Sequence, residues 1–293
     1  MFSSRPLDYI LMLYVAVEIC IGLVLVFTGV HIGKAKKAKP RDDSLLAQVT
    51  FIWRPVVYYI LSLSWLSWLG INVFGAYMLD WNVPYTQVIL QYVAQPHHNS
   101  TDALSTMIGL SMLICQHVRR LDECLHLNIY TSVHMNVLPH MMQYLLPVFL
   151  GLSLVAEGPP LERQGLLHLI CCINWYHPVG IMVFILASKH QHICYSILTS
   201  LRKDKSGQIV STGYKVPRGD WFGWISCPHL FADILIYTAI GICLGLRQRA
   251  WCLCTLHLLV HHIFYALHIH RRYGVVFKKE YPTDRAALIP FLL

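Results

Sequence analysis

Seven stretches of this chain are apolar for about the length of a bilayer-spanning helix, and few folds can hide that much apolar surface. They lie near 9–32, 51–79, 103–118, 127–155, 166–187, 230–246 and 251–269, the fourth interrupted by Pro139 and Pro147. Hydrophobic residues fill 56% of the 293 positions and charged ones 13%, too few charges for a water-soluble domain of this size. Lipid satisfies no backbone hydrogen bond, so each stretch is expected to be helical. The expectation is an all-α integral membrane protein, a seven-transmembrane-helix bundle forming a single domain over residues 1–293.

Lysine and arginine set its orientation. Of the 23, only Arg5, Arg163, Arg247 and Arg249 fall on one side of the bundle, which puts the N-terminus in the lumen and the C-terminus in the cytosol. That arrangement needs an odd number of spans. The tripeptide Asn99-Ser100-Thr101, a glycosylation sequon, then falls in a lumenal loop. The first apolar run is too long for a signal-peptide core and lacks a small-residue cleavage site, so it reads as a spanning helix. The net charge of +8 sits between apolar runs rather than on an amphipathic or disordered tract. It therefore speaks for topology and ligand charge, not for nucleic acid.

The ten cysteines lie mostly inside apolar runs with no CxxC spacing, so neither a disulfide framework nor a zinc site follows. Glu18, Asn136, His140, His257, His261, His262 and His268 fall within spans, where each must be paired or face a cavity. His257 and His261, four apart, present two imidazoles on one helix face. A di-iron oxidase needs several such boxes, and elsewhere only His190 with His192 and His134 with His140 recur, so no metal is expected.

Leu201–Asp233 is the longest interval without a membrane-length apolar run. Its cations, Arg202, Lys203, Lys205, Lys215 and Arg218, alternate with Tyr214, Trp221, Phe222 and Trp224. This is either a positive loop that only obeys topology or a place where a flat, phosphate-bearing molecule is held. Neither GxGxxG nor GxxxxGK[ST] occurs, so a nucleotide would be held by loops and helix ends. The hydrogen-bonding side chains available on the cytosolic face are Gln191, Tyr195, Arg202, Tyr214, Lys215, His229, Asp233, His270 and Tyr273.

The tail from His270, HRRYGVVFKKEYPTDRAALIPFLL, resembles the C-terminal signature of the steroid 5-alpha-reductase family, roughly HxxY, a short basic spacer and YPxxRxAxIPF. LRK at Leu201 to Lys203, YKVPRGDWF from Tyr214 and SCPHLFADI from Ser226 resemble it as well. RRLDECL from Arg119, with the pair His190 and Gln191, is similar to the polyprenol/polyprenal reductase branch. The resemblance is ordered from Gln116 to the end and weak before it. It marks a family-like region over 110–293, with a cytosolic NADPH-binding loop over 188–229 and a tail over 270–293.

What the resemblance implies is a seven-span bundle in the endoplasmic reticulum membrane that binds NADPH from the cytosol. Cofactor contacts then fall on Gln191, Tyr195, Arg202, Tyr214, Lys215, His229, Asp233 and Tyr273, with Arg120 as a further phosphate or ribose contact. Family members often carry asparagine where Gln191 and His229 stand and an acid where Tyr195 stands, and this chain has one extra residue between Tyr273 and the YP pair. The glutamine-glutamate pair that holds the ketone in steroid-reducing members is missing from FIWRPVVYYI at Phe51. His117 stands where those members use a tyrosine.

These departures argue for a longer, more flexible lipid than a steroid. The implied activity is reduction of the alpha-isoprene double bond of a polyprenoid toward dolichol for protein N-glycosylation. An isolated alkene resists hydride, so the conjugated aldehyde, polyprenal, is the preferred substrate. Donors to its oxygen would be His117 and Tyr58, with His270 near the cofactor end. The expected partners are a long-chain polyprenoid and membrane lipids, without nucleic acid or an obligate protein partner. A 3-oxo-5-alpha-steroid 4-dehydrogenase would share fold and cofactor and differ in substrate. An isoprenylcysteine methyltransferase-like enzyme would bind S-adenosylmethionine, and a seven-span receptor or carrier would use no nicotinamide.

Overall fold

The computed structural model describes residues 6–28, 48–50, 54–94, 100–127, 134–203, 208, 215–282 and 284–290. Tyr214, Arg5 and Asn99 lie outside the described residues, as do the side chains of Glu18, Asn136 and His140. In chain order the elements are α1 (Pro6–Thr28), β1 (Gln48–Thr50), α2 (Arg54–Leu79), α3 (Pro84–Val93), α4 (Ala103–His126), β2 (His134–Asn136), α5 (Val137–Ala156), α6 (Leu166–Cys171), α7 (Tyr176–Ser200), α8 (Pro228–Cys243) and α9 (Arg249–Phe277). Single 3-10 turns occupy Asp220–Gly223 and Lys278–Glu280. Among the described residues, Pro55–Leu79, Tyr176–Ser200 and Arg249–Glu280 are long and apolar enough to cross a membrane, which makes this a multi-pass membrane protein.

Helices occupy all seven apolar stretches, but several edges differ from expectation for identifiable reasons. The third was expected to end at Val118, yet α4 continues to His126. Arg119 and Arg120 pair with Glu123 one turn on, and such pairs sustain a helix after hydropathy has fallen. Leu127, expected to open the fourth span, instead caps α4 by donating its backbone N–H to Glu123, and α5 begins at Val137. The fifth breaks into α6 and α7, with His177 Nδ1 accepting the Asn174 backbone N–H at 3.1 Å in the turn. Because α7 runs on to Ser200, the first part of the expected 188–229 loop is helix. Likewise α9 reaches Phe277, so His270 and Tyr273 are helical and the extended tail starts later.

The all-α expectation is modified by one short antiparallel ladder, in which Gln48, Val49 and Thr50 face Asn136, Met135 and His134. It ties together the approaches to α2 and α5. In the bundle, α4 packs against α2, α5, α7 and α8, and α9 packs against α1, α5 and α8. Asp102 caps α4 by accepting the Ser105 backbone N–H at 2.8 Å, and Pro228 opens α8 where its missing N–H costs nothing.

At the opposite end from the residues singled out above, polar groups close the bundle. Glu157 accepts the backbone N–H of Ala250 at 2.9 Å and of Arg249 at 3.2 Å, capping α9 from a distant part of the chain. Ser105 and His177 form a 2.9 Å pair there, but Ser105 Oγ already donates to Asp102 at 2.8 Å. His177 Nε2 must therefore be the donor, so this pair is a helix tie and not a nucleophile with its base. An apolar cleft of about 270 Å³, lined by Phe74, Met107 and Leu169 among others, also lies at that end.

Candidate active site

The site is built where the end of α4 meets the start of α2, the end of α7 and the start of α8. Glu123, with no solvent exposure, accepts from both Arg119 and Arg120 and lies 3.0 Å from His192 Nδ1. The Arg120 guanidinium stacks 3.8 Å from the centre of the Tyr195 ring, and its Nε donates to the Tyr59 hydroxyl at 3.4 Å. Tyr195 in turn packs at 5.4 Å against the His229 ring. Three helices thus converge on one buried cation.

A second layer lies against it. Gln191 Nε2 donates to Asp233 Oδ1 at 2.8 Å and to the His229 carbonyl at 3.2 Å. Its Oε1 accepts from Gln116 at 3.2 Å and from Arg119. Asp233 Oδ1 also accepts from Gln116 at 3.2 Å, and Oδ2 accepts from His262 Nε2 at 2.9 Å. Gln191 has no unused hydrogen-bonding capacity left. The network joins α4, α7, α8 and α9 through side chains and one backbone carbonyl.

The tail closes one flank. Residues 285–288 lie alongside 224–227, with the Ser226 N–H donating to the Ala286 carbonyl at 2.9 Å and the Ala286 N–H to the Trp224 carbonyl at 3.0 Å. Ser226 Oγ bonds His270 Nδ1 at 2.7 Å and meets the Tyr281 hydroxyl. Burial pushes the Tyr281 phenol above its ordinary value, with Ser226 and Arg285 opposing it, so the ring stays neutral. Arg285 is only 7% exposed and sits 5.4 Å from the centre of the Tyr281 ring, yet its Nε and Nη1 meet no partner among the described residues. His229 Nδ1 is likewise buried without a partner there. Buried donors in this condition are costly unless an acceptor arrives.

Of the three expected catalytic groups, two fall close together. The His117 ring meets the Tyr59 ring at 5.8 Å, and Tyr59 meets Tyr58 at 4.8 Å. His117 Nδ1 donates to the Leu113 carbonyl at 2.9 Å, which fixes the lone pair on Nε2. His270 stands apart on the tail flank, bonded to Ser226 and ring-packed against Tyr281 rather than against Tyr58 or His117. Of the expected cofactor contacts, Arg120, Gln191, Tyr195, His229 and Asp233 come together. Tyr273 packs with Tyr281 at 5.7 Å on the tail flank, Arg202 is half-buried at the end of α7, and Lys215 is exposed. Tyr214 lies outside the described residues.

Residues 169–293 match the 3-oxo-5-alpha-steroid 4-dehydrogenase family. The polyprenal reductase of Xenopus tropicalis is 34% identical over 250 residues, covering 80% of this chain and 77% of that protein. The chain belongs to the steroid 5-alpha-reductase family. It is therefore an oxidoreductase acting on a CH–CH group. The polyprenal reductases of Danio rerio and Homo sapiens are 34% and 31% identical over 190 and 193 residues, each covering 65% of this chain and 61% and 60% of those proteins.

For a steroid 5-alpha-reductase family member, the sequence left several residues of this arrangement unnamed. Glu123 and Arg119 stood inside the quoted α4 motif without roles, and Gln116 marked only where the resemblance starts, because their partners arrive from α7 and α8. His262 was visible only as one of a crowded histidine run, and nothing in that run points to Asp233. His190, stacked at 4.3 Å on Trp221 and 3.0 Å from Asp220, anchors the 3-10 turn to α7. Arg285 was counted as a topology cation, although its place in YPTDRAALIPF was a usable signal.

Proposed function

We propose that this protein is an NADPH-dependent polyprenal reductase, which saturates the alpha-isoprene double bond of a polyprenoid aldehyde on the route to dolichol for N-glycosylation. The observation that carries the reading is the likeness to relatives named polyprenal reductase across more than three quarters of the Xenopus tropicalis protein. The absence of the glutamine-glutamate pair from the FIWRPVVYYI stretch at the start of the second span supports a lipid rather than a 3-oxo-steroid. We further propose seven spans, with the N-terminus lumenal and the C-terminus cytosolic, in the endoplasmic reticulum membrane. The excess of lysine and arginine on one side supports that orientation.

The residues fit a phosphate-bearing dinucleotide. Arg285, with two buried donors that meet no acceptor among the described residues, suits an anion, and Arg202, Lys215 and Tyr214 are the further cationic and aromatic groups that the family resemblance assigns to the cofactor. His229 Nδ1 and the rings of Tyr195 and Tyr273 offer a polar edge and flat faces to a ribose or base. Arg120 is already committed to Glu123 and two tyrosines, so its role is to charge the site rather than to grip a phosphate. Gln191 and Asp233 frame the site from behind. When bound, the dihydronicotinamide supplies hydride to the beta-carbon of the conjugated aldehyde.

This chain's residues then manage the charge. As the beta-carbon gains hydrogen, an electron pair moves to the carbonyl oxygen, and a donor aimed there lowers the barrier by about 3 to 4 kcal/mol. The isoprenoid tail remains dissolved in the bilayer beside the bundle.

The reading is tested by offering the purified chain in detergent polyprenal, polyprenol and a 3-oxo-4-ene steroid with NADPH and identifying products by mass spectrometry. Saturation of polyprenal alone is expected. Preferred turnover of the steroid, or none of the three consuming NADPH, would overturn it.

A further inference from the structure

We infer that Tyr59, rather than Tyr58 or His117, is the hydrogen-bond donor to the substrate's aldehyde oxygen, with Arg120 holding the charge it leaves behind. The inference rests on the polyprenal-reductase reading and names the group that performs its oxyanion chemistry.

The argument begins with which hydroxyl has a proton to give. Arg120 Nε donates to the Tyr59 oxygen at 3.4 Å, so the tyrosine's lone pair is engaged and its own proton is available. A guanidinium bonded to a phenol oxygen stabilises the phenolate and makes the hydroxyl a stronger donor. Arg120 is 7% exposed, fixed by Glu123 on one edge and stacked on Tyr195, so it does not swing away. Tyr59 itself is half-buried on α2, while its cation is sealed.

The competitors lack these features. His117 donates Nδ1–H to the Leu113 carbonyl, which leaves Nε2 an acceptor with nothing to give a carbonyl oxygen. Tyr58 packs edge-on against Tyr59 and Tyr144, and among the described residues no guanidinium is bonded to its hydroxyl. His117, edge-on to Tyr59 at 5.8 Å, is a wall that orients the phenol.

The step balances as follows. Hydride enters at the beta-carbon, the carbon-carbon π pair shifts to the alpha-carbon–carbonyl bond, and the carbonyl pair takes the Tyr59 proton, giving an enol and a tyrosinate beside Arg120. The enol then returns its proton to Tyr59 as the alpha-carbon takes one from water. The alkene is reduced by one hydride and one solvent proton, and the nicotinamide is oxidised.

The test uses the full chain with Tyr59→Phe, and Tyr58→Phe as the neighbour control. Tyr59→Phe is expected to lower kcat for polyprenal by about 10²-fold. Its NADPH affinity, read by tryptophan fluorescence, should stay within about threefold of wild type. A readout independent of turnover is binding of polyprenoic acid, whose carboxylate mimics the enolate, to the enzyme with NADP⁺. Tyr59→Phe should weaken it about tenfold or more and Tyr58→Phe should not. Retained kcat and carboxylate binding in Tyr59→Phe overturns the inference, as does a matching loss of NADPH affinity, which marks a structural role. If the wild type reduces no polyprenal, the failure belongs to the functional reading instead.

Discussion

Gln191 and Asp233, on α7 and α8, share a 2.8 Å hydrogen bond that is one of four made by the Gln191 amide. The other three reach the His229 carbonyl, Gln116 and Arg119, so one side chain joins α4, α7 and α8. A residue with every donor and acceptor filled positions others. Its removal should read first as lost stability and only then as lost cofactor affinity.

Gln191→Leu is expected to take one hydrogen bond each from Asp233, Gln116, Arg119 and the His229 carbonyl, although Asp233 and Gln116 stay bonded to each other, at about 1–3 kcal/mol for each buried group left unsatisfied. Thermal unfolding in detergent should show a Tm lower by several degrees, with NADPH affinity falling alongside it. A variant with wild-type Tm and weakened NADPH binding would instead make Gln191 a direct contact.

Glu123 makes a sharper prediction, because it neutralises two arginines while fully buried. Glu123→Ala leaves both cations facing each other, and breaking a buried pair this way costs about 3–5 kcal/mol. Adding Arg120→Ala should recover part of that loss, since the second change removes a charge the first left unpaired. The cycle is read from unfolding of both single variants and the double. Simple additivity would show that Arg120 and Glu123 are not coupled.

The sequence made some of this legible and hid the rest for physical reasons. Apolar length exposed the helices, but those helices are apolar nearly all round, so no stripe revealed which face meets which neighbour. Tyr58 and Tyr59 differ by one helical step of about 100°, and only packing shows that Tyr59 reaches Arg120. The same limit hid Asp233 with His262, twenty-nine positions apart. Motif order, by contrast, carried Arg120, Gln191, His229 and Asp233 to one place. The α4 extension was missed because hydropathy marks where a membrane ends, while i,i+4 ion pairs decide where a helix ends.

Ser226 links three parts of the tail flank, meeting His270, Tyr281 and the Ala286 carbonyl. Ser226→Ala keeps the backbone ladder but removes the side-chain latch. Hydrogen exchange at the Ala286 and Cys227 amides should quicken, and on the proposed reading NADPH affinity should fall as Arg285 loses its fixed position. Unchanged exchange at both amides would show that the backbone ladder alone holds the tail.

The contact between α7 and α8 offers a test at a distance. A Cβ on Gly180 would lie 2.4 Å from Cys243 Sγ and 2.8 Å from the Ala239 carbonyl, so this glycine is where the two backbones approach. Gly180→Ala must push the helices apart, and overpacking of this kind costs about 1–3 kcal/mol. Because Gln191 and Asp233 sit further along the same two helices, part of the displacement should appear in their hydrogen bond. Gly180→Ala is therefore expected to lower both Tm and NADPH affinity. Pairing it with Cys243→Gly removes the sulfur but leaves the carbonyl contact, so rescue should be partial. Full rescue would make the thiol the sole obstacle, and no rescue would assign the close approach to the backbone.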